Sequence, residues 1–220
     1  MTTTEFALNG AALTALPSGA LWVEAHGLLC VSDLHLGKSE RMARRNGQLV
    51  PPYDSRETLH NLAADIARWA PTQVLCLGDN FDDHLAFSGL APAELDQINL
   101  MMAGRHWIWI TGNHDPGPVE IGGTWLHEAP IGPLTFRHIA EPDAAPGEVS
   151  GHYHPKHRMS GSRSRVTRKA FLYDETRLIL PAYGAYTGGL RTSDAALRRL
   201  MGPRSVAILT GPKTMACPMV

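Results

Sequence analysis

A chain of 220 residues that is 44% hydrophobic and 19% charged fits one soluble domain, residues 1–220, able to bury a core without disulfide staples. Its formal net charge of −1 excludes the overall basic field that marks a nucleic-acid binder by charge alone, although local patches and bound cations still attract phosphate. Cys30, Cys76 and Cys217 form no C-x-x-C pair, which argues against zinc ribbons and dithiol chemistry, and no stretch is long and apolar enough for a membrane span. The opening MTTTEFALNG lacks the basic and apolar regions of a secretory signal, so a cytoplasmic, reducing setting is the expectation.

In chain order, Glu5–Leu8 and Ala20–Glu24 read as short strands on either side of the turn Pro17-Ser18-Gly19. Leu28–Ser32 is a continuous apolar run of the kind buried on both faces, and Asp33 stands just beyond it. Lys38, Arg41, Arg44 and Arg45 then surround Met42 in a loop and short helix. Leu59, Leu62, Ala63, Ile66 and Trp69 recur at helical spacing, which predicts a helix over Asp54–Trp69 with Asp54 as N-cap and Glu57 completing a capping box. Gln73–Leu77 is the next strand, ended by Gly78-Asp79. Pro92–Met102 is a second helix with proline in its first turn, and Trp107–Ile110 is a strand ended by Gly112-Asn113-His114-Asp115.

After residue 115 the alternation of strand and helix stops. Thr124–Glu128, Leu134–Arg137, Glu148–Gly151, Val166–Tyr173 and Arg177–Leu180 read as successive strands, followed by a short helix, Asp194–Leu200, and a last strand, Val206–Leu209. An α/β first half and a mostly β second half suggest two sheets packed face to face with helices outside.

Five short segments place metal-ligating side chains after apolar runs: DLHLGK (Asp33, His35), GDNFDD (Asp79), GNHD (Asn113, His114), FRH (His138) and GHYH (His152, His154). Side chains beyond the carboxyl ends of strands can converge on one crevice. In an extended chain the one-residue gap of Asp33-Leu34-His35 puts carboxylate and imidazole on the same side, and His152 and His154 share that spacing. Asp79 is the natural bridging carboxylate, because Gly78 before it permits close approach of the backbone. Mixed His, Asp and Asn donors suit Mn²⁺, Fe or Zn²⁺, and two such ions roughly 3.5–4 Å apart would hold a bridging hydroxide for in-line attack on phosphorus. His114 could then protonate the leaving oxygen, with Asp115 orienting its ring.

Each element also has a plainer reading. GNHD alone is a turn, and a histidine after a strand is more often hydrogen-bonded than metal-bound. His26, His60, His106, His127 and His157 have no motif around them, and His84 stands out only for following Asp82-Asp83. Lys38, Arg41 and Arg45 either hold substrate phosphate at the mouth of the site or form a solvated helix face. Arg163, Arg165, Arg168 and Lys169 read as the solvent side of a hairpin, and Trp107 and Trp109 as core.

The five segments together resemble the calcineurin-like metallophosphoesterases. That resemblance implies a four-layer αββα sandwich of two mixed β-sheets flanked by helices. It also implies one metal on Asp33, His35, Asp79 and His154, a second on Asp79, Asn113, His138 and His152, and an acid or transition-state-stabilising role for His114. More narrowly, DLHLGKSERMARR, PPYDSRETL, LGDNFDD, GNHDPGPV, LTFRHIAEP, GHYHPK and LILPAYGAYTGGL are similar to the bacterial ligase-associated DNA-damage-response phosphoesterases. This implies nuclease activity in DNA repair, with a DNA ligase and a helicase-like protein as partners, and the leading reading is a Mn²⁺-dependent phosphodiesterase acting on DNA. The rival readings are a phosphodiesterase or pyrophosphatase acting on a small nucleotide or lipid-linked phosphate, and a non-catalytic scaffold. Oligomeric state stays open.

Overall fold

The computed structural model describes residues 2–47, 51, 53–115, 117–160 and 165–219. The first sheet contains β1 (Thr4–Leu8), β2 (Ala11–Ala15), β3 (Leu21–Val23), β4 (Leu28–Val31), β5 (Gln73–Leu77), β6 (His106–Ile110) and β7 (Thr124–Leu126), in that spatial order. β1 to β4 pair antiparallel and β4 to β7 pair parallel, so the sheet is mixed. Helices α1 (Lys38–Asn46), α2 (Asp54–Trp69) and α3 (Pro92–Met102) fall in the connections between the parallel strands.

The second sheet contains β8 (Glu128–Ile131), β9 (Leu134–Arg137), β10 (Glu148–Ser150), β12 (Arg165–Tyr173), β13 (Arg177–Ile179), β14 (Val206–Leu209) and β15 (Met215–Pro218), with β11 (Lys156–Ser160) paired to β12. Its order is β15-β14-β12-β13-β10-β9-β8, and β10 lies parallel to both β9 and β13. A short helix, α4 (Ala195–Leu200), precedes β14.

Strand alternation explains the layering. Cys30, Leu75, Leu77, Ile108 and Ile110 point inward and meet Phe136, Val149, Phe171, Leu178 and Ile208 of the opposite sheet. Their neighbours Leu29, Val31, Val74, Cys76, Trp107 and Trp109 point outward and are covered by Leu59, Leu62 and Ile66 of α2 and Ile98 and Met101 of α3. On the far side, Ala170, Leu172, Ile179, Ala207 and Leu209 are covered by Leu197 of α4. The result is the expected αββα sandwich, with both tryptophans in the core. Among the described residues no helix is long and apolar enough to cross a membrane.

Several local expectations change. Asp54 opens α2 but does not cap it: its carboxylate accepts from Ser39 N at 3.1 Å and from the Ser39 hydroxyl, tying α2 to α1. The hairpin partner β2, the strand β8 and the edge strands β11 and β15 extend the strand count beyond the sequence reading. The basic stretch before Lys169 becomes the β11–β12 hairpin, with Arg163 outside the described residues.

Candidate metal centre

The parallel strands β4, β5 and β6 end at the same edge, and the loops beyond them stay paired. Asp33 N donates to Gly78 O at 3.2 Å, His35 N to Asp79 O at 2.9 Å and Leu36 N to Asn80 O at 2.9 Å. From the second sheet, His138 follows β9 and His152 and His154 follow β10, with Gly151 N bonded to His138 O at 3.0 Å. Both sheets therefore deliver polar side chains to one crevice at their carboxyl ends.

Three groups of donors meet there: Asp33, His35 and His154; His35, Asp79 and His114; and Asp79, His138 and His152. His154 Nε2 lies 3.1 Å from Asp33 Oδ1 and 3.3 Å from His35 Nε2. His138 Nε2 lies 3.3 Å from Asp79 Oδ1 and 3.0 Å from Asn113 Oδ1. Asp79 stands between the groups, with its Oδ2 3.9 Å from His35 Nε2. His152 and His154 thus face different carboxylates.

The local backbone around these residues is unusual. Asp33 (φ 54°), His35 (φ 46°), Asp79 (φ 46°), His152 (φ 69°) and His154 (φ 47°) all adopt the left-handed region. That conformation is uncommon for residues with a Cβ and concentrates at functional sites. Asp33 and His35 therefore converge through a turned backbone rather than the extended one expected from their spacing. The motif glycines are steric requirements. A Cβ on Gly112 would lie 2.2 Å from Asp79 N, and one on Gly151 would lie 1.8 Å from Ser32 Oγ.

The imidazole tautomers point the same way. His35 Nδ1 donates to Asp82 Oδ1 at 2.7 Å, and His138 Nδ1 donates to Leu77 O at 3.0 Å. In the neutral rings this leaves both Nε2 lone pairs facing the carboxylates, the arrangement that imidazole ligands require. His152 Nδ1 is buried without a hydrogen-bond partner among the described residues. These carboxylates and inward-facing nitrogens fit divalent cations of the mixed nitrogen–oxygen class.

The electrostatics follow from burial and close packing. Burial alone would raise the Asp79 carboxyl, but the hydrogen bond and charge of His138 hold it well below the usual range. Burial likewise opposes ionisation of Asp82, yet its bond to His35 and the nearby Lys38 and Arg41 bring it down to about 2. Burial would depress His138, but Asp79 and Asp33 push it up to about 9. Burial raises Asp115 to about 6.

Asp115 does not orient the His114 ring as expected. Its Oδ1 accepts from Gly112 N at 3.0 Å, and its Oδ2 from Asn80 N at 2.8 Å and Phe81 N at 3.3 Å, so it clamps the loops after β5 and β6 together. His114 is held instead through Nδ1, which donates to Asp82 O at 2.7 Å, while its Nε2 lies 4.0 Å from Asp79 Oδ2.

The basic residues of α1 dock on the Asp82-Asp83 pair. Arg41 Nε bonds to Asp82, and Lys38 Nζ is 3.7 Å from the same carboxylate. Arg45 is 3.2 Å from Asp83, with Arg44 at 2.9 Å. Lys169, read from sequence as solvent-facing, turns inward and donates to Gly184 O at 2.7 Å; burial lowers its pKa to about 8. His84 is exposed and His157 is bonded to Thr192 Oγ1 at 2.8 Å, away from the centre. Asp82 is the site residue the sequence reading missed. Its signal was its place three residues after Asp79 in GDNFDD.

A crystal structure of the Pseudomonas putida nuclease MPE is similar to this chain, with a TM-score of 0.77 and 25% sequence identity over 98% of this chain and 100% of that one. No curated protein matches. The family model described as calcineurin-like phosphoesterase matches residues 27–189, from the start of β4 past the last histidine of the centre. The chain belongs to the calcineurin-like phosphoesterase family and is a metal-dependent phosphoesterase.

Proposed function

We propose that this protein cleaves phosphodiester bonds of DNA, using two divalent ions held by Asp33, His35, Asp79, Asn113, His138, His152 and His154. Mn²⁺ is the first choice of ion, with Fe and Zn²⁺ as alternatives. The observation that carries the reading is the pair of buried carboxylates, Asp33 and Asp79, each faced by imidazole nitrogens. When bound, the ions supply Lewis acidity that acidifies water and neutralises phosphoryl charge.

The chain's own groups do the rest. Asp82 and Leu77 O fix the rings of His35 and His138, so neither ring reorients as charge builds up. His114, anchored through Nδ1, keeps Nε2 toward the crevice with 32% of its side chain exposed. As an imidazolium it can donate from Nε2 to a leaving oxygen. Lys38, Arg41 and Arg45 lie on the α1 flank, where they position the phosphate backbone.

DNA as substrate is supported by the nuclease structure that this chain resembles. A place in DNA repair beside a ligase and a helicase-like protein rests on the sequence resemblance. The net charge of −1 and the pairing of the α1 cations with Asp82 and Asp83 favour a second reading, a phosphodiesterase acting on small nucleotides.

Metal-stripped protein resupplied with Mn²⁺ separates the readings. Cleavage of bis-p-nitrophenyl phosphate and of DNA, steeply weakened by salt on DNA and lost in His114→Ala, is the expected result. Diester cleavage with DNA left intact would replace the first reading by the second. Hydrolysis surviving both His114→Ala and Asp79→Asn would refute this mechanism.

A further inference from the structure

The β11–β12 hairpin begins just after His154 and carries positive charge that the centre does not use. From Val149 to Tyr173 the sequence contains Lys156, Arg158, Arg163, Arg165, Arg168 and Lys169, and neither Asp nor Glu. On α1, by contrast, Lys38, Arg41, Arg44 and Arg45 each meet Asp82 or Asp83. Among the described residues no hairpin cation, nor the neighbouring Arg191, has a carboxylate within 4.0 Å.

Strand geometry gathers most of this charge on one face. Phe171 of β12 points between the two sheets, so Lys169, Thr167 and Arg165, at alternate positions before it, continue that face beyond the sandwich. Residues paired directly across a ladder share a face. Lys156 pairs with Lys169, Arg158 with Thr167, and Arg191 with Lys156, so all three join it. The opposite face is used by the fold. Met159 packs against the cluster of Ala170 and Leu172, His157 bonds Thr192 Oγ1 at 2.8 Å, and Arg168 Nη1 donates to Thr210 O at 3.3 Å.

The two inner lysines tie the charged face to the centre. Lys169 Nζ donates to Gly184 O at 2.7 Å and Lys156 Nζ to Thr187 O at 3.3 Å, while Gly184 N donates to Asp33 O at 3.1 Å. Arg158, Arg165 and Arg191 are exposed. At the usual spacings the face extends about 10 Å across the ladder from Lys169 to Arg191, and about 13 Å along β11. Exposed guanidinium groups without a carboxylate partner bind phosphate oxygens through parallel N–H bonds. A row of them fits a row of anions, and the backbone of a nucleic acid is one.

We infer that this hairpin face holds the phosphate backbone of a nucleic-acid strand beyond the bond being cleaved, through Arg158, Arg165 and Arg191. The inference rests on the DNA reading above and gives the strand a path leading away from the centre. The three arginines set affinity for long strands and touch no reacting atom.

The test compares wild type, Arg158→Gln/Arg191→Gln and Arg158→Lys/Arg191→Lys, all supplied with Mn²⁺, on a trinucleotide and on a long oligonucleotide. Rates are referred to bis-p-nitrophenyl phosphate, which is too short to reach the hairpin. On the long strand the glutamine pair should raise KM and keep kcat. It should also flatten the slope of log KM against log salt by roughly one to two, as losing two phosphate contacts does. The lysine pair keeps the charge and should recover most of the slope. On the trinucleotide the glutamine pair should lose little. A wild-type salt slope in the glutamine pair would mean that the face serves another anionic partner, and would overturn the inference while leaving the DNA reading intact. Equal losses on the short and the long strand would overturn it in the same way. A wild type that cuts bis-p-nitrophenyl phosphate but no oligonucleotide would overturn the DNA reading and this inference with it.

Discussion

Asp82 Oδ1 accepts a hydrogen bond from His35 Nδ1 at 2.7 Å, while the other oxygen of Asp82 takes Nε of Arg41. One fully buried carboxylate therefore fixes an inward-facing imidazole and fastens the basic helix α1 to the rim of the centre. Asp82→Ala should lower Mn²⁺ affinity by about 10–100-fold, the usual effect of losing such a support. Calorimetric titration of metal-stripped protein reads this directly, and unchanged affinity would show that His35 needs no partner.

Metal binding should release a proton from His138. In the metal-free protein its pKa is raised to about 9, so the ring is charged at pH 7 and must lose that proton to bind an ion. Binding enthalpies measured at pH 7 in buffers of different ionisation heat should differ, and the difference should fade above pH 9. The same shift sets a stability slope. The His138 ion pair contributes fully below about pH 6.5, and its contribution is lost as pH rises through about 9. A metal-free chain whose urea midpoint rose across that window would contradict the assignment.

Gly112→Ala should damage fold and site together. Its Cβ would sit 2.2 Å from Asp79 N, 2.3 Å from Asp79 Oδ1 and 2.8 Å from Asp115 Oδ1. A loss of about 1–3 kcal/mol in urea unfolding is expected from such overpacking, with weaker metal binding. Gly188→Ala meets nothing within 4 Å, so its stability should stay within about 0.5 kcal/mol of wild type.

Asp115→Ala should cost about 3 kcal/mol, because it strips partners from the buried N–H groups of Gly112, Asn80 and Phe81. Chemical denaturation checks the size. Loss of activity without loss of stability would instead make Asp115 part of the chemistry.

The segments proposed to carry the ligands stood out because they pair unusual side chains with strand ends: DLHLGK, GDNFDD and GNHD each follow an apolar run that does become a parallel strand. The αββα layering was legible from alternation such as Leu29-Cys30-Val31, in which Cys30 faces the second sheet and its neighbours face the helices. What escaped depended on partners distant in sequence. Nothing near Asp82 shows that His35, forty-seven positions earlier, will reach it. Asp54 looked like a cap until the packing of α1 against α2 brought Ser39 to its carboxylate. Lys169 shares a strand with solvent-facing residues, and only the loop through Gly184 draws its ammonium inward. The short β2 and β15, AALTA and MACP, carry too little β-branched or aromatic character to stand out from the chain alone.

The most direct test of the central claim measures metal content and diester hydrolysis together, in wild type and Asp79→Asn. Stripped protein dialysed against Mn²⁺ should hold about two ions per chain and cleave bis-p-nitrophenyl phosphate, as a dinuclear site requires. Asp79→Asn should lose at least one ion and on the order of a hundredfold or more in rate, as removing one group that stabilises transition-state charge does. Wild-type metal content and rate in Asp79→Asn, or full activity with no bound metal, would contradict the dinuclear account.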